Sequence, residues 1–194
     1  SSQAVVSSIV QENKVNYKKL IDIIPSEMVP NNGFLNLGQT RFKKTPALGL
    51  NTPSFSNGSA YADLDNDGDF DLIVANLAHP RFYDFSDKTQ VYIQGEDGTL
   101  TDSQGDWAYP WGDAGIRFSE GHFSPVLGDI DQDGALDLAI STAYYGRATD
   151  FYWGQGDGTF KLDTYHAGIV LEGGLCMTAG DMDTSLCIHQ AISA

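Results

Sequence analysis

Two nine-residue stretches constrain this chain more than anything else in its sequence. One reads DLDNDGDFD from Asp63 to Asp71, and the other reads DIDQDGALD from Asp129 to Asp137. Counted from the first Asp, carboxylates stand at loop positions 1, 3, 5 and 9. These are Asp63, Asp65, Asp67 and Asp71 in the first loop and Asp129, Asp131, Asp133 and Asp137 in the second, with Gly68 and Gly134 at position 6. Alternate carboxylates on a tightly turning backbone point at one centre, the glycine permits a sharp reversal, and the position-7 carbonyl, from Asp69 or Ala135, turns inward with them. An all-oxygen set on a flexible loop suits calcium, with roughly six to eight ligands, better than the strict octahedron of magnesium. The expectation is about two calcium ions, one per loop. Without a cation, the crowded carboxylates repel one another by several kcal/mol at an effective dielectric of about 20, so empty loops are expected to be disordered.

An EF-hand starts with the same spacing, but it needs a bidentate Glu at its twelfth position and a helix after it. Here that position is Val74 or Ile140, inside β-prone runs, and the EF-hand reading fails. The apolar residues at positions 2 and 8, Leu64 with Phe70 and Ile130 with Leu136, are expected to point into a sheet core and hold each loop between two strands. A third start, GDMDTS from Gly180 to Ser185, continues with Leu186 at position 6 and His189 at position 9. No ion is expected there, because the reversal and half of the carboxylates are missing.

A second motif alternates with these loops. VYIQGEDGTL (Val91 to Leu100) and FYWGQGDGTF (Phe151 to Phe160) read as hairpins turning at Asp97-Gly98 and Asp157-Gly158, and FLNLGQTRF (Phe34 to Phe42) is a looser relative. The hairpins end 58 and 60 residues apart, the Asp loops begin 66 and 52 apart, and one unit therefore recurs about every sixty residues. Its strands are short, and nothing after Leu50 carries a long helical period, so the fold class is all-β. A unit of about four short strands is a β-propeller blade, and the chain holds about three of them, an incomplete propeller. Residues 1–30 fit the repeat poorly and are set apart from the repeats of 31–194, with the third Asp loop breaking near 184. Within 1–30, the stretch from Lys14 to Ile24 suits either a short amphipathic helix or an extra strand.

Charge narrows the partners. The net charge of -15 argues against nucleic acid, whose binding rests on clustered Lys and Arg, and favours cations. It is unevenly spread: up to Lys44 six basic residues face three acidic ones, whereas beyond it five face 23. No run approaches the roughly 18 apolar residues of a membrane span, and the start SSQAVVSSIV lacks the pattern of a signal peptide. The first residue is not Met, and the chain is read as a processed or excised piece. The two cysteines, Cys176 and Cys187, cannot form a disulfide framework for the fold, and with His189 they fall short of a four-ligand zinc site.

Taken together, the loops and following strands from Phe34 to Asp183 resemble FG-GAP and VCBS repeats, found in integrin α-chain propellers and many secreted proteins. FLNLGQTRFKKTPALGL before the first Asp loop is most similar to secreted propellers related to cartilage acidic protein and the UnbV group. The resemblance implies calcium at blade edges and an extracellular, periplasmic or cell-surface setting. Closed propellers have about four to eight blades, so a chain with two complete loop units is expected to expose strand edges open to self-association.

Outside the loops, the stretch from Asp106 to Phe118 gathers Trp107, Tyr109 and Trp111, rings that either stack on a sugar or protein ligand or fill the wedge between blades. His122 is read as a core or rim histidine. Asn57-Gly58-Ser59 is a formal glycosylation sequon. No GxSxG, HExxH or phosphate loop is present. The leading expectation is a calcium-binding recognition or adhesion scaffold for a protein or carbohydrate ligand. Its rival is the propeller part of a secreted carbohydrate-active enzyme, a polysaccharide lyase or sugar dehydratase, using carboxylates such as Asp106, Asp113, Glu120 and Asp150.

Overall fold

The computed structural model describes residues 10–11, 14–15, 27–76, 87–105, 111–117, 121–142, 147–168, 174–182 and 185–192, the strands at both ends by backbone alone. Its described elements are strands and one short 3-10 turn, Pro46–Leu48. The all-β expectation holds.

Two four-stranded antiparallel meanders form the body. In the first sheet the strands are β7 (Ser56–Ala62), β8 (Asp71–Asn76), β9 (Gln90–Gln94) and β10 (Leu100–Asp102). In the second they are β11 (His122–Gly128), β12 (Asp137–Thr142), β13 (Asp150–Gly154) and β14 (Phe160–Leu162). Each Asp loop connects the first strand of its sheet to the second, and each Asp-Gly hairpin connects the third to the fourth. β8 and β12 are near-continuous apolar runs rather than alternating ones, and β12 is buried at every residue. Strands covered on both faces require that composition.

Smaller pairs flank the body. β1 (Val10–Gln11) pairs with β2 (Lys14–Val15), which makes Lys14 and Val15 strand residues; Asn16 to Ile24 lie outside the described residues. β3 (Val29–Pro30) pairs with β6 (Pro53–Ser54), β4 (Gly33–Asn36) with β5 (Phe42–Thr45), and β15 (Gly174–Met182) with β16 (Ser185–Ile192). At the third Asp position the chain forms a plain hairpin: Met182 pairs with Ser185, and no nine-residue loop intervenes.

The two sheets stack face to face. Ile73, Ala75 and Val91 of the first meet Leu138, Ile140, Tyr152 and Phe160 of the second, with Leu64, Ala114 and Ile116 filling the seam. Edge strand β7 lies beside β11, and β11 lies beside β15. All three carry a register irregularity near their start, between Ser56 and Gly58, His122 and Pro125, and Gly174 and Cys176. Bulges bend a strand and increase its twist, and here one falls near the start of each of these three strands.

One repeated position carries no obvious sequence signal. Gly49 and Gly115, 66 residues apart like the two Asp loops, have φ of 77° and 84°. A Cβ on either would lie 2.0 Å from a carbonyl oxygen, that of Leu100 or Phe160. Only glycine permits that backbone and that approach, and each seats the apolar residue after it, Leu50 or Ile116, in the core.

Candidate metal centres

The Asp loops are two copies of one hydrogen-bonded frame. In the first, Asp63 accepts the amides of Asp67 (3.1 Å) and Gly68 (3.0 Å), Asp65 accepts Asp67 N (3.3 Å), and Asp67 accepts Asp69 N (2.9 Å). In the second, Asp129 accepts Asp133 N (3.1 Å) and Gly134 N (3.2 Å), Asp131 accepts Asp133 N (3.2 Å), and Asp133 accepts Ala135 N (2.8 Å). The reversal uses two left-handed residues per loop, not the glycine alone: Asn66 and Gln132 at position 4 have φ of 62° and 63°, Gly68 and Gly134 at position 6 have 96° and 93°. Asparagine takes that conformation readily; glutamine is a less usual occupant.

The position-9 carboxylates do more than line a loop. Asp71 is 1% exposed, and its two oxygens accept Leu64 N and Gln94 N, each at 2.8 Å. Asp137 repeats this with Ile130 N at 2.8 Å and Gly154 N at 3.0 Å. Each one clamps the start of its loop to the end of the third strand, through charge-assisted bonds that contribute roughly 1.5–3 kcal/mol apiece. A carboxylate oxygen that has taken one amide keeps a lone pair for a cation.

Asp63, Asp65 and Asp71 each offer an oxygen within 4.8 Å of the others, and Asp129, Asp131 and Asp137 do the same. These two trios can hold a metal ion. Position 5, Asp67 or Asp133, stands outside the convergent trio and is exposed, as is Asp69, while Ala135 at position 7 is buried. Burial pushes the carboxyls of Asp71 and Asp137 above their ordinary range against the amide bonds they accept. Burial, then the neighbouring charges of Asp67 and Asp63, pushes Asp65 the same way. A nearby cation reverses that penalty.

The expected orientation of the apolar loop positions is half right. Leu64 is 4% exposed in the main core, and Ile130 packs against the smaller cluster of Ala139 and Phe151. Leu136 is partly buried, but Phe70 is 65% exposed and meets Tyr61 edge-on at 5.6 Å. Among the described residues no sheet covers the aromatic ring.

A second cluster joins the two sheets at the start of β9 and β13. His122 places Nδ1 2.7 Å from Thr89 Oγ1 and Nε2 3.0 Å from Asp150 Oδ2. Arg117 pairs with both Asp150 oxygens, through Nε at 2.7 Å and through Nη2, and the Tyr152 hydroxyl donates to Asp150 at 3.2 Å. Burial alone would raise the Asp150 carboxyl; His122 and Arg117 outweigh it and hold the group down at about 2. His122 is thus a core histidine, 1% exposed, and Asp150 is a fully paired structural anion instead of a carboxylate available for glycoside chemistry. Sequence reading singled out Asp150, His122 and Arg117, the last as part of the aromatic loop 106–118, but neither Thr89 nor Tyr152, and it did not join them. Thr89 lies 33 residues from His122 and Arg117 lies 33 from Asp150, which leaves no local pattern to read, whereas Tyr152 stands two residues from Asp150.

Of the proposed stacking rings, Trp111 is 45% exposed and bridges to Arg117, whereas Trp107 and Tyr109 lie outside the described residues. Asp106 and Glu120 do so too, and Asp113 is exposed. The sequon residue Asn57 lies in β7 and donates to His122 O at 3.3 Å. Among the described residues no helix is long and apolar enough to cross a membrane. Comparison with protein-family models finds no match, and comparison with curated proteins finds none either.

Proposed function

We propose that this chain is a calcium-held set of β-propeller blades that serves outside the cell, or in a periplasm, as a recognition or adhesion scaffold for a protein or glycan. The observation that carries the reading is the identity of the two Asp frames, which bring positions 1, 3 and 9 to a common centre at the same edge of two stacked sheets. An all-carboxylate trio supplemented by the position-7 carbonyl is hard-oxygen chemistry, as calcium requires. The ion's role is architectural: it neutralises Asp71 and Asp137, which fasten the loop to the third strand. A weak site, on the order of 0.1 to 1 mM, is filled in extracellular fluid and left empty at cytosolic calcium. The stacked sheets behind the loops supply the platform for ligand recognition in this reading.

Isothermal titration of chelator-stripped protein with calcium, and separately with magnesium, tests the reading. About two calcium ions bind, the melting temperature rises with calcium as linkage requires, and Asp65→Asn or Asp131→Asn each removes one ion. Absence of calcium binding, or binding without thermal gain, overturns it.

A further inference from the structure

We propose that the groove between residues 31–34 and strand β7 binds a neutral saccharide, whose C–H faces lie on Phe34, Tyr61 and Phe70 and whose hydroxyls meet the amides and hydroxyls between those rings. The site gives the recognition role proposed above, on which it rests, a place and a ligand class.

The groove measures about 830 Å³, within the roughly 300–1,000 Å³ of small-molecule sites. Its floor is apolar and closed, with Leu50 and Val74 at 8% and 3% exposed. Its rim is not: Phe34, Tyr61 and Phe70 are 57%, 71% and 65% exposed. The edge-on contact between Tyr61 and Phe70 restrains both rings, so a ligand lying on either one orders little further.

Side chains with hydrogen-bonding capacity to spare stand between the rings. Asn31, Asn32 and Asn57 donate through Nδ2 to Ser54 Oγ (3.3 Å), Pro30 O (3.5 Å) and His122 O (3.3 Å). Their amide oxygens, and the Ser59 hydroxyl, have no hydrogen-bond partner among the described residues. An amide oxygen accepts and a hydroxyl does both, which is the set that reads a ring of hydroxyl groups.

The second sheet shows that this set is particular to the groove. Counting 66 residues on, as between the two Asp loops, Asn57, Ser59, Tyr61 and Phe70 become Phe123, Pro125, Leu127 and Leu136. Strand pairing agrees, since Ser59 pairs with Val74 and Tyr61 with Leu72, as Pro125 pairs with Ile140 and Leu127 with Leu138. All four residues of the second set are apolar and at least partly buried. All four of the first are exposed and carry an amide, a hydroxyl or a ring. The backbone does not require aromatic rings at these places, because leucine serves both positions in the second sheet. Rings left in solvent gain little from burial; what they offer is a flat apolar surface for a ligand.

Charge selects the ligand class. The chain carries -15, yet no charged residue is among the described residues lining the groove. Lys44 pairs with Phe34 across the β4–β5 hairpin but stays outside that lining. A uronate or sulfated glycan needs Arg or Lys for its anionic groups and meets the repulsion of the whole chain. Rings alone suit an ammonium group as well; the amides and hydroxyl between them favour a saccharide.

Isothermal titration of the whole chain with cellotetraose, mannotetraose and N-acetylchitotetraose, and with tetragalacturonate and choline for contrast, tests the site. At least one neutral tetrasaccharide binds, and tetragalacturonate and choline bind more weakly. Tyr61→Leu with Phe70→Leu, the residues that the second sheet carries, keeps the wild-type circular dichroism and calcium stoichiometry and lowers the affinity by about tenfold per ring. Tyr165→Leu, at a 77% exposed ring outside the groove lining, leaves it unchanged. Failure of all three neutral probes to bind, tighter binding of tetragalacturonate or choline, or binding indifferent to the leucine pair overturns the proposal. So does binding lost with Trp111→Ala and kept with the leucine pair, which moves recognition to loop 106–118. Calcium titration of the same samples reports separately on the scaffold reading, so either can fail alone.

Discussion

The first and second sheets are the same unit in two surroundings, and their differences isolate what a neighbour contributes. Strand registers and loop frames agree pair for pair, whereas the hairpin tips differ: Gly98 N closes on Gly95 O of its own turn, and Gly158 N donates to Leu64 O of the first sheet's loop. What diverges is whatever touches the next sheet. Position 8 of the loop is an exposed Phe70 in one and a partly buried Leu136 in the other; the tyrosine of the third strand is a bare buried hydroxyl in one and part of an ionic network in the other. Backbone geometry is thus a property of the unit, and side-chain burial is a property of the stack.

The largest break in that comparison is expected at Asp150. Replacing it with Asn leaves Arg117 without its partner and costs about 3–5 kcal/mol, while Gln90→Leu at the equivalent place in the first sheet costs about 1 kcal/mol. Urea melts of both variants read the contrast. The acid limb adds a sign: the Asp150 pKa is lowered from 3.8 to about 2 in the folded state, so its stabilisation is full above the unfolded value and is lost as pH falls through the folded one. That loss is on the order of 2 kcal/mol, and Asp150→Asn lacks it.

A smaller and more symmetrical effect is expected at the clamps. Asp71→Asn and Asp137→Asn each lose about 1–3 kcal/mol in calcium. In chelator the loss shrinks, because removing a desolvated charge offsets the weakened amide bonds. Unequal losses at the two sites would show that the units are not energetically equivalent. Smallest is the pair at the hairpin tips. Gly98→Ala and Gly158→Ala both force a side chain into φ of 75° and 78°, costing about 1 kcal/mol. Gly158 costs a few tenths more, since its Cβ would meet Ile93 Cδ1 at 2.8 Å while that of Gly98 meets nothing within 4 Å. Thermal melts resolve the order.

Much of the fold was legible because the signals are local. The Asp spacing, Gly68, Gly134 and the apolar runs after them foretell loop and strand within a dozen residues. The hairpin turns were legible in place but not in kind. Asp97 takes no positive φ; its carboxylate accepts Thr99 N at 2.9 Å, and Gly98 alone is left-handed. That three-residue loop with a glycine bulge differs from the two-residue turn an Asp-Gly pair suggests. Gly49 and Gly115 escaped notice because their neighbours differ in sequence, and what they share is closeness to a carbonyl on another strand.

By itself the sequence determined the repeating unit, its two acidic centres and the ruin of the third, since these follow from which side chains a short turning backbone can bring together. Tertiary structure alone decided that Asp150 would be an ion-paired core residue, that Asp71 and Asp137 would be strand clamps, and that Phe70 would face outward. Each of those outcomes depends on which sheet lies alongside, and contacts across a stack join residues too far apart in the chain for any local pattern to encode them.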